Sequence, residues 1–273
     1  MSTEADGGHC PRTHNDRMRL PGSAVRASGG RSVAATLLLA LSLSACSSSD
    51  RATSPEEVRE LADGAPAREA RQEIEDHLRA VVRAYDGKTP LTLGLVAVDD
   101  RCVGGSAKEW FFQTGDDQYS IRCHLHVTAW FGADPARTAE VLDAVFTAGD
   151  HAAQAGAPAA SVPFGHSDYH RRLVDYYRDR GPNPTGPDTP EPAQISDTSQ
   201  TLSWDTVRSS VRTRVEEPEA CVDDDPPVTR CLREPASTTV AQVRARHGMV
   251  FRLDLGNAEY YKVPKGEDPA RTG

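Results

Sequence analysis

Apolar positions beyond residue 50 first recur at helical spacing. Between Ala67 and Tyr85, the residues Ala70, Ile74, Leu78, Val81, Val82 and Tyr85 fall on one stripe, which predicts an amphipathic helix that buries this face. Asp86-Gly87 is its expected stop. A shorter helix precedes it, with Ser54 as N-cap, Pro55 at the first helical position and Glu57 completing a capping box, and Asp63-Gly64 interrupts it. Leu91–Val98 is apolar and bounded by Pro90 and Asp99-Asp100, which predicts a buried strand. Trp110-Phe111-Phe112, between glycine turns, predicts a short strand. From Tyr119 to Phe131 the period changes to two. Ile121, Cys123, Leu125, Val127 and Ala129 point one way, and Arg122, His124, His126, Thr128 and Trp130 the other.

Asp134-Pro135 opens a third helix, to about Ala148, with Ala139, Leu142, Val145 and Phe146 inward. Ser167 starts a fourth, carrying Tyr169, Leu173, Tyr176 and Tyr177 at helical spacing, with Gly181 as its stop. Residues 181–193 are rich in Pro and Gly and predict an exposed loop. Strand signals return at Leu202–Val207, Val240–Arg246, Met249–Leu255 and Ala258–Val263. His247-Gly248 and Gly256-Asn257 are two-residue turn signals, so the last three predict an antiparallel meander. Helices and strands interleave irregularly, and the strand neighbours are antiparallel. The expected class is α+β: helices packed on a mostly antiparallel sheet, in one domain over 54–265, with a disordered tail at 266–273.

The only strongly apolar run before this region is Val33–Leu43, eleven residues long. A membrane-spanning helix needs about 20. The run fits the apolar core of a signal peptide, with Arg26 and Arg31 before it and small residues after. Leu43-Ser44-Ala45-Cys46 resembles the lipobox of bacterial lipoproteins. That resemblance implies removal of residues 1–45, diacylglycerol on the Cys46 thiol, and a short tether over 46–53 on the extracytoplasmic face of the cell membrane. Glu4, Asp6 and Asp16 are unusual in a leader, which makes Met18 an alternative start.

This address changes how the cysteines are read. Cys102, Cys123, Cys221 and Cys231 remain beyond the lipidated one, and outside the membrane an even set favours disulfides. Cys102–Cys123 and Cys221–Cys231 are the expected pairs, because each brackets one loop-rich segment. Neither has CxxC spacing, so a structural role is expected rather than a zinc or redox site. The formal charge of −9 becomes −11 beyond residue 45, because the leader carries five Arg and three acidic residues. Such acidity argues against nucleic acid and against direct binding to anionic lipid headgroups.

Candidate chemistry centres on His124-Leu125-His126-Val127-Thr128. Both imidazoles lie on one face of a strand, where an imidazole pair could hold zinc or copper given a third ligand, which the sequence does not nominate. His126-Val127-Thr128 also resembles one of the two His-x-Thr/Ser motifs of the two-histidine phosphoesterases. The second motif is missing: the sequences after His151, His166, His170 and His247 do not supply it. One histidine cannot serve both proton transfers. The acidic run Glu216, Glu217, Glu219, Asp223, Asp224 and Asp225 has no calcium-loop spacing and reads as a solvated loop. Tyr169, Tyr176, Tyr177 and Trp204 could line a groove, with core packing the expected role of the tyrosines. No nucleophile elbow, phosphate loop or dinucleotide fingerprint occurs, and no cofactor is implied. The expected function is therefore a lipid-tethered binding module whose partner is a protein or small molecule. The alternative is an extracytoplasmic hydrolase or metal-dependent enzyme centred on His124 and His126.

Overall fold

Six antiparallel strands form one sheet in the computed structural model, which describes residues 51–108, 115–156, 162–219 and 226–267. In chain order they are β1 (Thr92–Gly104), β2 (Tyr119–Ala133), β3 (Gln194–Ser196), β4 (Gln200–Trp204), β5 (Val228–Glu234) and β6 (Met249–Pro264), arranged in the sheet as β3-β4-β6-β2-β1-β5. The helices are α1 (Pro55–Ala62), α2 (Ala65–Lys88), α3 (Thr138–Gln154), α4 (Asp168–Tyr177) and α5 (Val240–His247). The expected α+β architecture is thus the observed one. The leader, Cys46, Trp110-Phe111-Phe112 and Asp223–Asp225 lie outside the described residues, as does the tail beyond Glu267. Among the described residues no helix is long and apolar enough to cross a membrane.

The alternation along β2 sets the two faces of the sheet. Leu125, Val127, Ala129 and Phe131 bury against Leu78, Val81, Val82 and Tyr85 of α2, Leu142, Val145 and Phe146 of α3, and Leu173 and Val174 of α4. Further along the same face, Cys102, Ile121 and Cys123 pack under Val58 and Ala62 of α1. Cys102 and Cys123 are direct cross-strand partners and form a disulfide, as expected. The second expected bridge falls on Cys221, outside the described residues; Cys231 itself is disulfide-bonded.

Among the described residues, the opposite face is covered at one end. There α5 lays Val240 and Val243 on Leu95, Trp130 and Val250. The approach is close because two strand positions lack side chains. A Cβ at Gly94 would stand 2.5 Å from Val243 Cγ2, and one at Gly132 would stand 2.2 Å from His247 Cδ2. The remainder of this face presents the polar alternates of β1, β2 and β6.

Several boundaries differ from expectation for identifiable reasons. Val240–His247 is a helix rather than a strand, because Thr239 accepts from Gln242 N (3.0 Å) while the Gln242 side chain accepts from Thr239 N (2.9 Å). Thr239→Ala removes one half of this box and is expected to cost about 1 kcal/mol, seen as a lower urea midpoint at unchanged slope. Gly256-Asn257 is no hairpin turn. The chain continues as β6 along β2, and the extra residue is absorbed as a bulge between Leu125 and Val127. β1 does not stop at Asp99-Asp100 but runs on to Gly104, opposite Ile121. α2 passes Gly87 and ends at Lys88, where Thr89 Oγ1 bonds the Tyr85 carbonyl (2.7 Å). The third helix opens with a 3-10 turn at Pro135–Arg137, and α3 continues to Gln154. α4 ends at Tyr177, ahead of Gly181, with Asp179 at φ 57° just beyond it.

The loop at 181–193 is exposed over most of its length but pinned at its end. The buried Glu191 carboxylate accepts from the backbone N–H groups of Val207 (2.8 Å), Arg208 (2.8 Å) and Ser209 (2.6 Å). Tyr177 donates to the Pro192 carbonyl (2.6 Å) and accepts from Trp204 Nε1 (2.9 Å), so these two aromatics serve packing rather than a groove. Tyr169 packs on the core edge, and Tyr176 lies under the Arg208 guanidinium, 4.3 Å from the ring centre.

Candidate functional site

β2 carries His124, His126 and Thr128 onto the polar face, where β6 supplies the acids. His126 Nε2 lies 3.3 Å from Asp254 Oδ1 and 3.1 Å from Thr128 Oγ1. His124 Nε2 lies 4.0 Å from Glu259 Oε2, and its Nδ1 is buried without a hydrogen-bond partner among the described residues. Burial, then the Arg122 charge, lowers the His124 pKa; Glu259 opposes them and is outweighed.

The arrangement limits the chemistry. A hydroxyl–imidazole–carboxylate relay needs the hydroxyl on one ring nitrogen and the carboxylate on the other. Here Thr128 and Asp254 meet the same nitrogen. Among the described residues no three His, Cys, Asp or Glu groups converge to hold a metal. Two depressions are present elsewhere: one of about 660 Å³ is lined by Lys88, Glu140, Asp143, Thr147 and His151, and one of about 330 Å³ by Arg79, Arg83, Leu93 and Pro235. Neither includes His124 or His126.

No protein-family model, curated protein or solved structure matches this chain.

Two further polar clusters were not legible as sites in the sequence. The first is a clasp between α3 and the segment leading into α4. His166 Nδ1 lies 2.6 Å from Asp150 Oδ2, and its Nε2 lies 3.2 Å from Asp143 Oδ1. Its backbone N–H also donates to Asp150 Oδ1 (3.0 Å). Asp143 and Asp150 are seven apart, hence on one helical stripe, which is the signal that could have paired them. Both carboxylates engage the imidazole at opposite ends, so no shared metal position exists. The ring's edge meets Phe146, and His170 stacks on Phe146 at 4.3 Å.

Burial disfavours the charged His166, but hydrogen bonds and charge from Asp150 and Asp143 outweigh it and raise the pKa. The His166 side chain, followed by its backbone N–H, holds the Asp150 carboxyl below its ordinary value. The His166 contribution to stability is fully present below the ordinary histidine value of about 6.5 and is lost as pH rises through the raised folded value. The Asp150 contribution is present above the ordinary carboxylate value and is lost as pH falls through its depressed one. His166→Asn is accordingly expected to destabilise most in mildly acidic solution. The gap in thermal midpoint should narrow as pH rises from about 6 to 9. A gap that does not change over that range would contradict the clasp.

The second cluster lies beneath α2. Asp100 is fully buried, with Arg71 Nε 2.7 Å from Oδ2 and the Tyr260 hydroxyl donating to Oδ1 at 2.7 Å. Arg230 Nε stands 3.6 Å from Oδ2, and Arg230 also pairs with Glu75, which Arg79 joins at 2.9 Å. Tyr260 reaches Asp100 because it is a surplus residue in β6. His124 pairs with Glu259 and Cys123 with Tyr261, which leaves Tyr260 in a bulge, turned to the helix side. Asp100 at its centre is enclosed, and the cluster serves to seat α2 on the sheet. Within the acidic run Glu217 has a structural use: its Oε1 accepts from Ala241 N at the start of α5 (3.0 Å), and Oε2 pairs with Arg233 (2.8 Å).

Proposed function

We propose that the chain is a membrane-anchored, extracytoplasmic lipoprotein whose folded domain binds a protein or small-molecule partner rather than catalysing a reaction. The observation that carries the address is a buried Cys102–Cys123 bridge in a chain whose leader ends in Leu43-Ser44-Ala45-Cys46. Disulfides persist in oxidising compartments, and a lipobox implies delivery to one. Among the described residues, the half of the sheet that α5 leaves uncovered, with its charged and imidazole side chains, is the surface open to a partner. Support for binding over catalysis comes from His126, whose hydroxyl and carboxylate neighbours share one nitrogen.

Intact mass of the native protein tests the anchor. The expected species begins at Cys46 and carries diacylglycerol; an unacylated species that retains residues 1–45 would overturn the proposal. A stable complex recovered from pull-downs with the tethered protein is the expected companion result. The enzyme alternative keeps one favourable observation, the proximity of Asp254 to His126. Turnover in a broad hydrolase screen, abolished by His126→Ala in a variant that still folds, would establish it instead.

A further inference from the structure

One end of the sheet carries a like-charge pair. Arg122 of β2 and Lys262 of β6 are direct cross-strand partners. Like charges in that relation are unfavourable unless something lies between or over them. Both cations rest on the Tyr119 ring, at 4.9 Å and 5.7 Å from its centre. His124 is next on the same face. Among the described residues, Arg122 Nε and His124 Nδ1 are shielded from water and lack a hydrogen-bond partner, a combination that protein interiors rarely leave in place. Asp116 Oδ1 is 3.6 Å from Arg122 and is shared with the Tyr119 hydroxyl (3.0 Å), and the exposed Glu259 is 4.0 Å from His124.

The same end of the sheet holds the first described residues. Lys265 Nζ donates to the Arg51 carbonyl (2.8 Å), and Thr53 N donates to the Gly105 carbonyl (2.9 Å). Arg51 is five residues beyond Cys46, so at most about 18 Å of chain separates them. An acylated Cys46 would therefore hold this end within reach of the lipid headgroups.

We propose that Arg122 and Lys262, with His124 beside them, form a headgroup-binding surface that takes the phosphate of an anionic phospholipid in the membrane to which Cys46 is tied. The proposal rests on the lipoprotein reading. It also refines the expectation from net charge: an acidic domain gains nothing from long-range attraction to such a membrane, but a short tether makes the encounter intramolecular and lets a local cationic pair act. The consequence is orientation, with the β1–β2 and β2–β6 strand ends bearing Gly104, Tyr119 and Pro264 held toward the bilayer.

The test is the amine-labelling rate of Lys262 relative to Lys88, which lies at the far end of α2. The native protein is reconstituted into vesicles of phosphatidylcholine alone or mixed with phosphatidylglycerol. In the anionic vesicles Lys262 should label about threefold more slowly relative to Lys88, and about 0.5 M salt should remove the difference. Arg122→Gln should restore labelling while leaving Lys262 as the reporter. Equal labelling in both vesicle types, or protection that survives Arg122→Gln, would overturn the proposal. So would equal protection by inorganic phosphate without vesicles, which would indicate a free-anion site. The mass of the same material separates the two failures: acylated protein with unprotected Lys262 rejects only the headgroup surface, whereas unacylated protein rejects the anchor and this proposal together.

Discussion

Asp100→Ala is expected to lower the free energy of unfolding by about 3–5 kcal/mol. The carboxylate has no exposure, and its removal leaves Arg71 and the Tyr260 hydroxyl facing an empty, enclosed space. Breaking a buried pair from one side costs more than the pair contributes, because the surviving charge has lost its water and gained nothing. Arg230, already 3.6 Å away, would compensate only in part. Asp100→Asn keeps the volume and one acceptor for Tyr260, so its cost should fall between native and Ala. Tyr260→Phe, which removes a single hydrogen bond, should cost about 1–2 kcal/mol. Urea unfolding followed by circular dichroism measures all three. A loss under about 1 kcal/mol for Asp100→Ala would show that the cluster is solvated and does not seat α2.

Replacing Cys102 and Cys123 together by alanine is expected to cost about 3 kcal/mol, the loop-closure value for a bridge between residues 21 apart. Both sulfurs are buried among Val58, Ala62 and Ile121, so some packing is lost as well. The entropic account makes a second demand. An unfolded chain freed of its bridge exposes more surface, so the urea slope should rise as the midpoint falls. A fall in midpoint without a steeper slope would assign the loss to packing. The two perturbations should not add. Cys102 Sγ lies 3.4 Å from the Tyr260 hydroxyl, so the bridge and the Asp100 cluster share a neighbour and a double-mutant cycle should report coupling.

What could be read from the chain was what two periodicities encode. The strict alternation over residues 121–130 placed those side chains of β2 on their faces, and the stripe from Ala70 to Tyr85 located α2. Local chemistry misled where a tertiary partner decided the outcome. Asp99-Asp100 looked like a strand end because two acids seldom continue a buried strand. Asp100 continues one here because Arg71, 29 residues earlier, and Tyr260, 160 later, meet it. Val240 and Val243 suggested a strand, while the capping pair Thr239 and Gln242 carried the opposite instruction. Of the candidate site, the shared face of His124 and His126 was legible. Their acidic neighbours were not, since Asp254 and Glu259 arrive through the register of β6 and its bulges. The two-carboxylate clasp on His166 was hidden for the same reason: a seven-residue spacing on α3 acquires meaning only when the segment after residue 161 folds back across it.

The bulge in β6 has an arithmetic side. Cys123 already faces Tyr261 and His124 already faces Glu259, so the ladder is complete with Tyr260 left out of the count. A chain one residue shorter at that point could zip along β2 with every later side chain still on its present side. The sheet therefore has no need of the extra residue; the carboxylate beneath the second helix does. The irregularity is a spur inserted into the strand to carry one phenol across to the opposite layer, and any substitution there acts on the helix seat before it acts on the strand.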